Sequence, residues 1–223
     1  MIDFRAVEER LAAVRDRIRA ACERAGRDPD GVRLIGVTKE MPVEAAAAAV
    51  AAGLTDLGEN HVQELETKRD QVAGATWHLI GRVQGNKARR AAEAADVVHT
   101  LEPGRALERM AATGAGRGRA VPGLVEVDFT DGRVGVPSAE AEVFVDRVAA
   151  MEGIDLRGLM TVAPPGGDPG PAFAALRDLR DRLAARHPGL VELSMGMSAD
   201  LETAVGEGAT MVRVGSAIFG PRR

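Results

Sequence analysis

Apolar residues recur at steps of three and four through the first segment, at Phe4, Val7, Leu11, Val14, Ile18 and Ala21, with arginine and glutamate between them. That period predicts an amphipathic helix, and Gly26 followed by Pro29 predicts its end. The period then changes. Val32–Val37 (VRLIGV) is a short apolar run, and Pro42 with Glu44 opens an alanine-rich helix ending near Gly53. Further apolar runs stand at Thr55–Leu57, Trp77–Ile80, Val97–Leu101, Val121–Val127, Leu156–Val162, Val191–Met195 and Met211–Val214. Helical patterns separate them at 60–73, 84–94, 103–114, 138–151, 170–186 and 198–206. The sum is eight strands, each followed by a helix except the last. Alternation without hairpin signals implies parallel strands with crossover helices, and eight such strands predict a TIM-type (β/α)8 barrel with an extra N-terminal helix. A doubly wound open sheet is the other architecture this pattern permits. The Gly/Pro-rich stretches Thr113–Arg119 and Pro164–Pro171 are short enough for loops, so residues 1–223 are expected to form one domain.

Composition narrows the function classes. With 29 basic and 33 acidic side chains the net charge is −4, which gives no general attraction for nucleic acid or anionic membranes. One cysteine cannot form an internal disulfide. The first residues carry acidic groups at Asp3, Glu8 and Glu9 where a signal peptide carries positive charge, and the apolar stretch Ala45–Ala52 is too short to span a bilayer. A cytoplasmic protein is expected.

Functional groups of a barrel gather at the C-terminal ends of its strands. The loops after strands seven and eight frequently bind phosphate there, through backbone N–H groups at a helix N-terminus. Here those loops hold Gly196, Ser198, Gly215 and Ser216. Ser198 equally fits a plain N-cap of the helix ADLETAV. Lys39 follows the apolar run of strand one; burial there favours a neutral amine able to form a Schiff base, although a lysine that merely reaches for solvent fits the position too. Arg213, on strand eight, suits a phosphate or carboxylate clamp. His78 on an apolar strand reads as a core histidine, and no metal-ligand spacing accompanies it. Lys87, Arg89 and Arg90 read as a solvated helix face, and Gly114–Gly118 does not follow a strand as a dinucleotide fingerprint must.

A phosphate cradle beside a partly desolvated lysine points to a phosphorylated aldehyde, pyridoxal phosphate foremost. Five segments then become recognisable in order: GVTKEMP at 36–42, LGENHVQE at 57–64, WHLIGRVQGNK at 77–87, LSMGMSADLETAV at 193–205 and MVRVGSAIFG at 211–220. Together they closely resemble the pyridoxal phosphate homeostasis protein family. The resemblance spans nearly the whole chain and implies the fold of the N-terminal barrel of alanine racemase. It further implies that Lys39 is the Schiff-base lysine, that Ser198, Gly215 and Ser216 hold the phosphate, and that Arg213 faces the pyridine nitrogen. Asn60, His78 and Met160 are implied to line the pocket. Arg82, Gly85 and His61 depart from the family pattern at the rim, and Ser216 stands where threonine is frequent.

The expectation is a protein that holds pyridoxal phosphate, maintains cofactor and amino-acid balance without turnover, works as a monomer, and passes the cofactor to apo-enzymes that require it. A small amino-acid racemase of the same cofactor class is the rival, and the barrel with its lysine alone also permits a Schiff-base aldolase. Racemases of this fold oppose their lysine with a tyrosine, and this sequence contains no tyrosine.

Overall fold

A computed structural model of the chain describes residues 3–130, 132 and 134–220. The N-terminal helix α1 (Phe4–Ala25) buries the apolar stripe Val7, Leu11, Val14, Ile18, Ala21 and Cys22, and Gly26 ends it in the left-handed conformation. Eight parallel strands form the barrel among the described residues, β1 (Arg33–Val37), β2 (Asp56–Glu59), β3 (Thr76–Leu79), β4 (Val97–Leu101), β5 (Val121–Asp128), β6 (Ile154–Met160), β7 (Glu192–Ser194) and β8 (Met211–Val214), and a further two-residue strand, Val136–Pro137, pairs with β5 alone. Each barrel strand pairs with its neighbours in chain order, β8 returns to β1, and the β4–β5 pairing closes the ring. The fold is therefore a closed (β/α)8 barrel, and the open sheet is excluded. Helices α2 (Val43–Ala51), α3 (Val62–Arg69), α4 (Ala88–Ala94), α5 (Arg105–Gly116), α6 (Ala141–Ala149), α7 (Gly170–Ala184) and α8 (Leu201–Gly206) form the outer layer.

Packing divides at the strands, because successive strand side chains point to opposite faces. One large apolar cluster fills the space between strands and helices, while Ile35, Leu124, Met160 and Met211, with Val162 packed against them, form a separate plug inside the barrel. Polar residues share that interior, including His78, His99, Ser194 and Arg213, all buried.

Three local differences from the sequence pattern have physical causes. Helix α5 runs through Gly116, where a loop from Thr113 is predicted; Gly114 belongs in it because a Cβ there would collide with the Gly153 carbonyl. The predicted helix at 198–206 begins only at Leu201, with Asp200 at the cap position and its carboxylate turned back to the Met197 N–H. A further short helix, α9 (Ser216–Phe219), follows the last strand, where none is predicted.

Candidate cofactor site

The C-terminal mouth of the barrel collects most of the candidate residues. Arg33, Ile35 and Val37 share one face of β1 by alternation, and Ile35 belongs to the interior plug; Lys39, partly buried, lies in the turn that follows the strand. The next residue, Glu40, holds φ +59, a conformation side chains rarely adopt. A set of carboxylates and one ammonium fixes this turn. The Glu40 N–H donates to Glu64 Oε1 at 2.8 Å. Lys68 Nζ donates to the Thr38 carbonyl at 2.6 Å and to Glu59 Oε1 and Glu64 Oε1 at 2.7 Å each. Thr38 Oγ1 donates to Glu59 Oε1 at 2.6 Å. Burial pushes the Glu59 carboxyl up, and the bonds from Lys68 and Thr38 pull it back. Three donors on one ammonium meeting three oxygens is the geometry that makes a buried ion pair tolerable.

The strand-eight loop closes against the same turn. A Cβ on Gly215 would lie 3.2 Å from the Val37 carbonyl oxygen, so a side chain there would press on the backbone leading to Lys39. Ser216 Oγ lies 3.4 Å from Ser198 Oγ. Ser198 is not the helix cap, which corrects that expectation: Asp200 takes the position, and its Oδ1 accepts the Met197 N–H at 2.5 Å. The Ser198 hydroxyl is thereby left to meet Ser216. Glu202 faces α1, where Arg17 donates to both its carboxylate oxygens at 2.7 and 2.9 Å, so its charge is turned away from the two hydroxyls.

Arg213 sits opposite Ile35 in the register and is buried to 5% exposure. Its Nη1 donates to Ser194 Oγ at 2.6 Å and its Nη2 to the Thr161 carbonyl at 2.9 Å. Burial pushes the guanidinium down to about 10, opposed by the nearby Glu126 and Asp200 carboxyls. It remains charged at neutral pH. Glu126, on β5, is also buried; desolvation and the neighbouring Glu102 push it up to about 7. Its Oε2 is buried without a hydrogen-bond partner, beside a cleft of about 290 Å³ lined by Glu126, Val127, Asp128, Val134 and Val162.

The other expected lining residues divide. Asn60 and His61 border a cleft of about 250 Å³ with Val62, Gly81, Arg82, Gln84 and Lys87, and Gly81 is needed because a Cβ would collide with the Asn60 backbone. Gly85, in the 3₁₀ turn Gly85–Lys87, accepts at its carbonyl from Arg109 at 2.7 Å. Met160 lies in the interior plug, beneath the mouth. His78 lies beneath it as well, with both ring nitrogens engaged inside the barrel by His99 and Asp56 at 2.9 Å each. The sequence patterns single out neither Lys68, Glu126 nor His99. Lys68 and His99 acquire their partners only through the barrel's strand pairing, but a glutamate within the apolar run at 121–127 was a visible signal.

Lys39, the buried Arg213 and the Ser198 and Ser216 hydroxyls lie toward the C-terminal ends of the strands of a closed barrel, and the family model described as "Alanine racemase, N-terminal domain" matches residues 10–223. A curated relative from Pseudomonas aeruginosa, named pyridoxal phosphate homeostasis protein, is 39% identical over 97% of this chain and 96% of its own. The chain belongs to the pyridoxal phosphate homeostasis protein family. A solved structure of PipY from Synechococcus elongatus with pyridoxal phosphate bound superposes with a TM-score of 0.85, 35% identity, and coverage of 96% of this chain and 100% of that one. Alanine racemase from Corynebacterium glutamicum shares the fold at 21% identity and a TM-score of 0.75, over 99% of this chain and 61% of the racemase.

Proposed function

We propose that this chain holds pyridoxal phosphate at the barrel mouth and serves cofactor homeostasis as a single cytoplasmic domain. The observation that carries this reading is the convergence of Lys39, Arg213, Gly215 and the Ser198–Ser216 hydroxyl pair on one end of the barrel. The residues present fit the group. Two hydroxyls 3.4 Å apart can both donate to a phosphate, and Gly215 leaves space that a Cβ would fill. Lys39 is the residue that would hold the cofactor's aldehyde carbon covalently, as a Schiff base formed with loss of water. Asn60, at the end of β2, would line the cofactor's side of the pocket. His78 and Met160, placed beneath the mouth, support the pocket from below.

Bound cofactor supplies an electrophilic carbon and a ring that accepts electrons from an adjacent carbanion. Arg213 opposes the second property. A guanidinium only donates, and this one stays charged, so it disfavours a proton on a ring nitrogen placed against it. The pocket therefore favours holding and releasing the cofactor, as a monomer, to apo-enzymes that need it, over racemisation. The absence of tyrosine from all 223 residues removes the opposing base that racemases of this fold use.

Titrating the purified protein with pyridoxal phosphate tests this directly. A new visible absorption band is expected, and it is expected to disappear in Lys39→Ala. No band in the unmodified protein overturns cofactor binding. Rapid exchange of the L-alanine α-proton in D₂O by the loaded protein overturns the non-catalytic part.

A further inference from the structure

Five side chains form an unbroken hydrogen-bonded chain across the barrel interior. Arg213 Nη1 lies 2.6 Å from Ser194 Oγ, Ser194 Oγ 2.9 Å from His99 Nδ1, His99 Nε2 2.9 Å from His78 Nδ1, and His78 Nε2 2.9 Å from Asp56 Oδ1. Ser194, His99 and His78 are wholly buried. Asp56 opens β2, at the N-terminal end of the barrel, and its side chain is 24% exposed. The chain therefore runs from the barrel floor to the arginine below the mouth.

A guanidinium cannot accept a hydrogen bond, so Ser194 Oγ must accept from Arg213. Ser194 Oγ keeps a second lone pair, so the sense of the line is set from the Asp56 end, by a carboxylate that only accepts. With one proton on each imidazole, His78 Nε2–H donates to Asp56, His78 Nδ1 accepts from His99 Nε2–H, and His99 Nδ1 accepts the serine proton. In this arrangement each imidazole carries one proton and uses both of its ring nitrogens. Burial, His78 and Arg213 all disfavour a charged His99, in agreement. Such a line cannot carry protons to the mouth, because its upper end cannot accept one. What it can do is polarise each bond in the same sense, strengthening the hold of Ser194 on Arg213. With the Thr161 carbonyl as the second anchor, the guanidinium plane is fixed.

We propose that Asp56, His78, His99 and Ser194 are positioning residues that orient Arg213 from the opposite end of the barrel, so that a floor carboxylate sets the environment of the cofactor ring. Its functional half rests on the cofactor reading above. Arg33, 3.8 Å from Asp56 and 3.6 Å from Glu192, keeps the floor carboxylate in place.

Nitrogen-resolved NMR of the histidines in the unmodified, cofactor-free protein tests the chain itself. At neutral pH both His78 and His99 are expected as Nε2–H tautomers; an Nδ1–H tautomer or an imidazolium at either overturns the assignment. The functional half is read in Asp56→Ala and Asp56→Asn with pyridoxal phosphate. Asp56→Ala is expected to weaken the cofactor's Kd by about tenfold, the scale of one charge-assisted bond, and to displace the pH profile of the bound cofactor's absorption. Asp56→Asn keeps an acceptor and is expected to restore both. A band in the unmodified protein whose Kd and pH profile ignore Asp56→Ala overturns the positioning role alone. No band in the unmodified protein overturns the cofactor reading and this role with it.

Discussion

Glu126 is the residue whose burial has the clearest thermodynamic consequence. Its carboxyl is raised from an ordinary value of 4.5 to about 7, chiefly by desolvation, and one oxygen has no partner. A carboxyl raised on folding binds its proton more tightly in the native state. Its contribution to stability is therefore complete below pH 4.5 and is lost as pH rises through about 7. The difference in affinity corresponds to about 3 kcal/mol. Glu126→Gln keeps the shape and removes the titration. It is expected to exceed the unmodified protein in stability at about pH 8 by up to that amount, and to lose the advantage near pH 4.5. Urea unfolding at several pH values checks this; parallel pH profiles for the two proteins would refute the burial argument.

The elements flanking Lys39 depend on Lys68, which reaches from α3 to the end of β1. Removing one partner of a buried ion pair leaves the other charge unsolvated, at a cost of about 3 kcal/mol or more. Lys68→Met is expected to lower stability by that order, and adding Glu59→Gln to recover part of the loss, as thermal unfolding would show; no recovery would mean Glu59 is not the stranded charge. This cluster also marks where the sequence stops being legible. The apolar runs at 97–101 and 211–214 coincide with β4 and β8, because each strand's burial is written in its own residues. The motifs around Lys39, Ser198 and Arg213 likewise placed those residues at strand ends. In the segment VQELETKR, by contrast, Lys68 looks like any solvated lysine. Its burial follows from Glu59 turning outward at the end of β2, which only the register reveals. His99 in VVHTL is similar: its partners are 21 and 95 residues away. Ser198 is misread as a cap for a local reason: the chain becomes helical only at Leu201, which moves the cap position two residues on to Asp200.

At the scale of the whole molecule, α1 lies outside the eight-fold repeat yet touches the loop that carries Ser198. Arg17 Nη2 donates to the Ser198 carbonyl at 3.0 Å while the same guanidinium grips Glu202. The Arg17 and Glu202 side chains are 35% and 36% exposed, so solvent screening limits the pair to about 1 kcal/mol of stability at most. The positional effect is separate from that energy. Releasing the Ser198 carbonyl frees the backbone that aims the Ser198 hydroxyl at Ser216. Arg17→Ala is therefore expected to leave the unfolding midpoint nearly unchanged and to weaken pyridoxal phosphate binding by about threefold to tenfold, the loss of order at one charge-assisted contact. Arg5→Ala, which breaks an exposed pair with Glu9 on the same helix, is expected to change neither quantity. Equal cofactor affinity in Arg17→Ala and the unmodified protein would reduce α1 to a cover for the barrel. A selective loss in Arg17→Ala would make the extra helix part of the pocket that binds the cofactor's phosphate, joined to it by one arginine of α1 that grips Glu202 on α8.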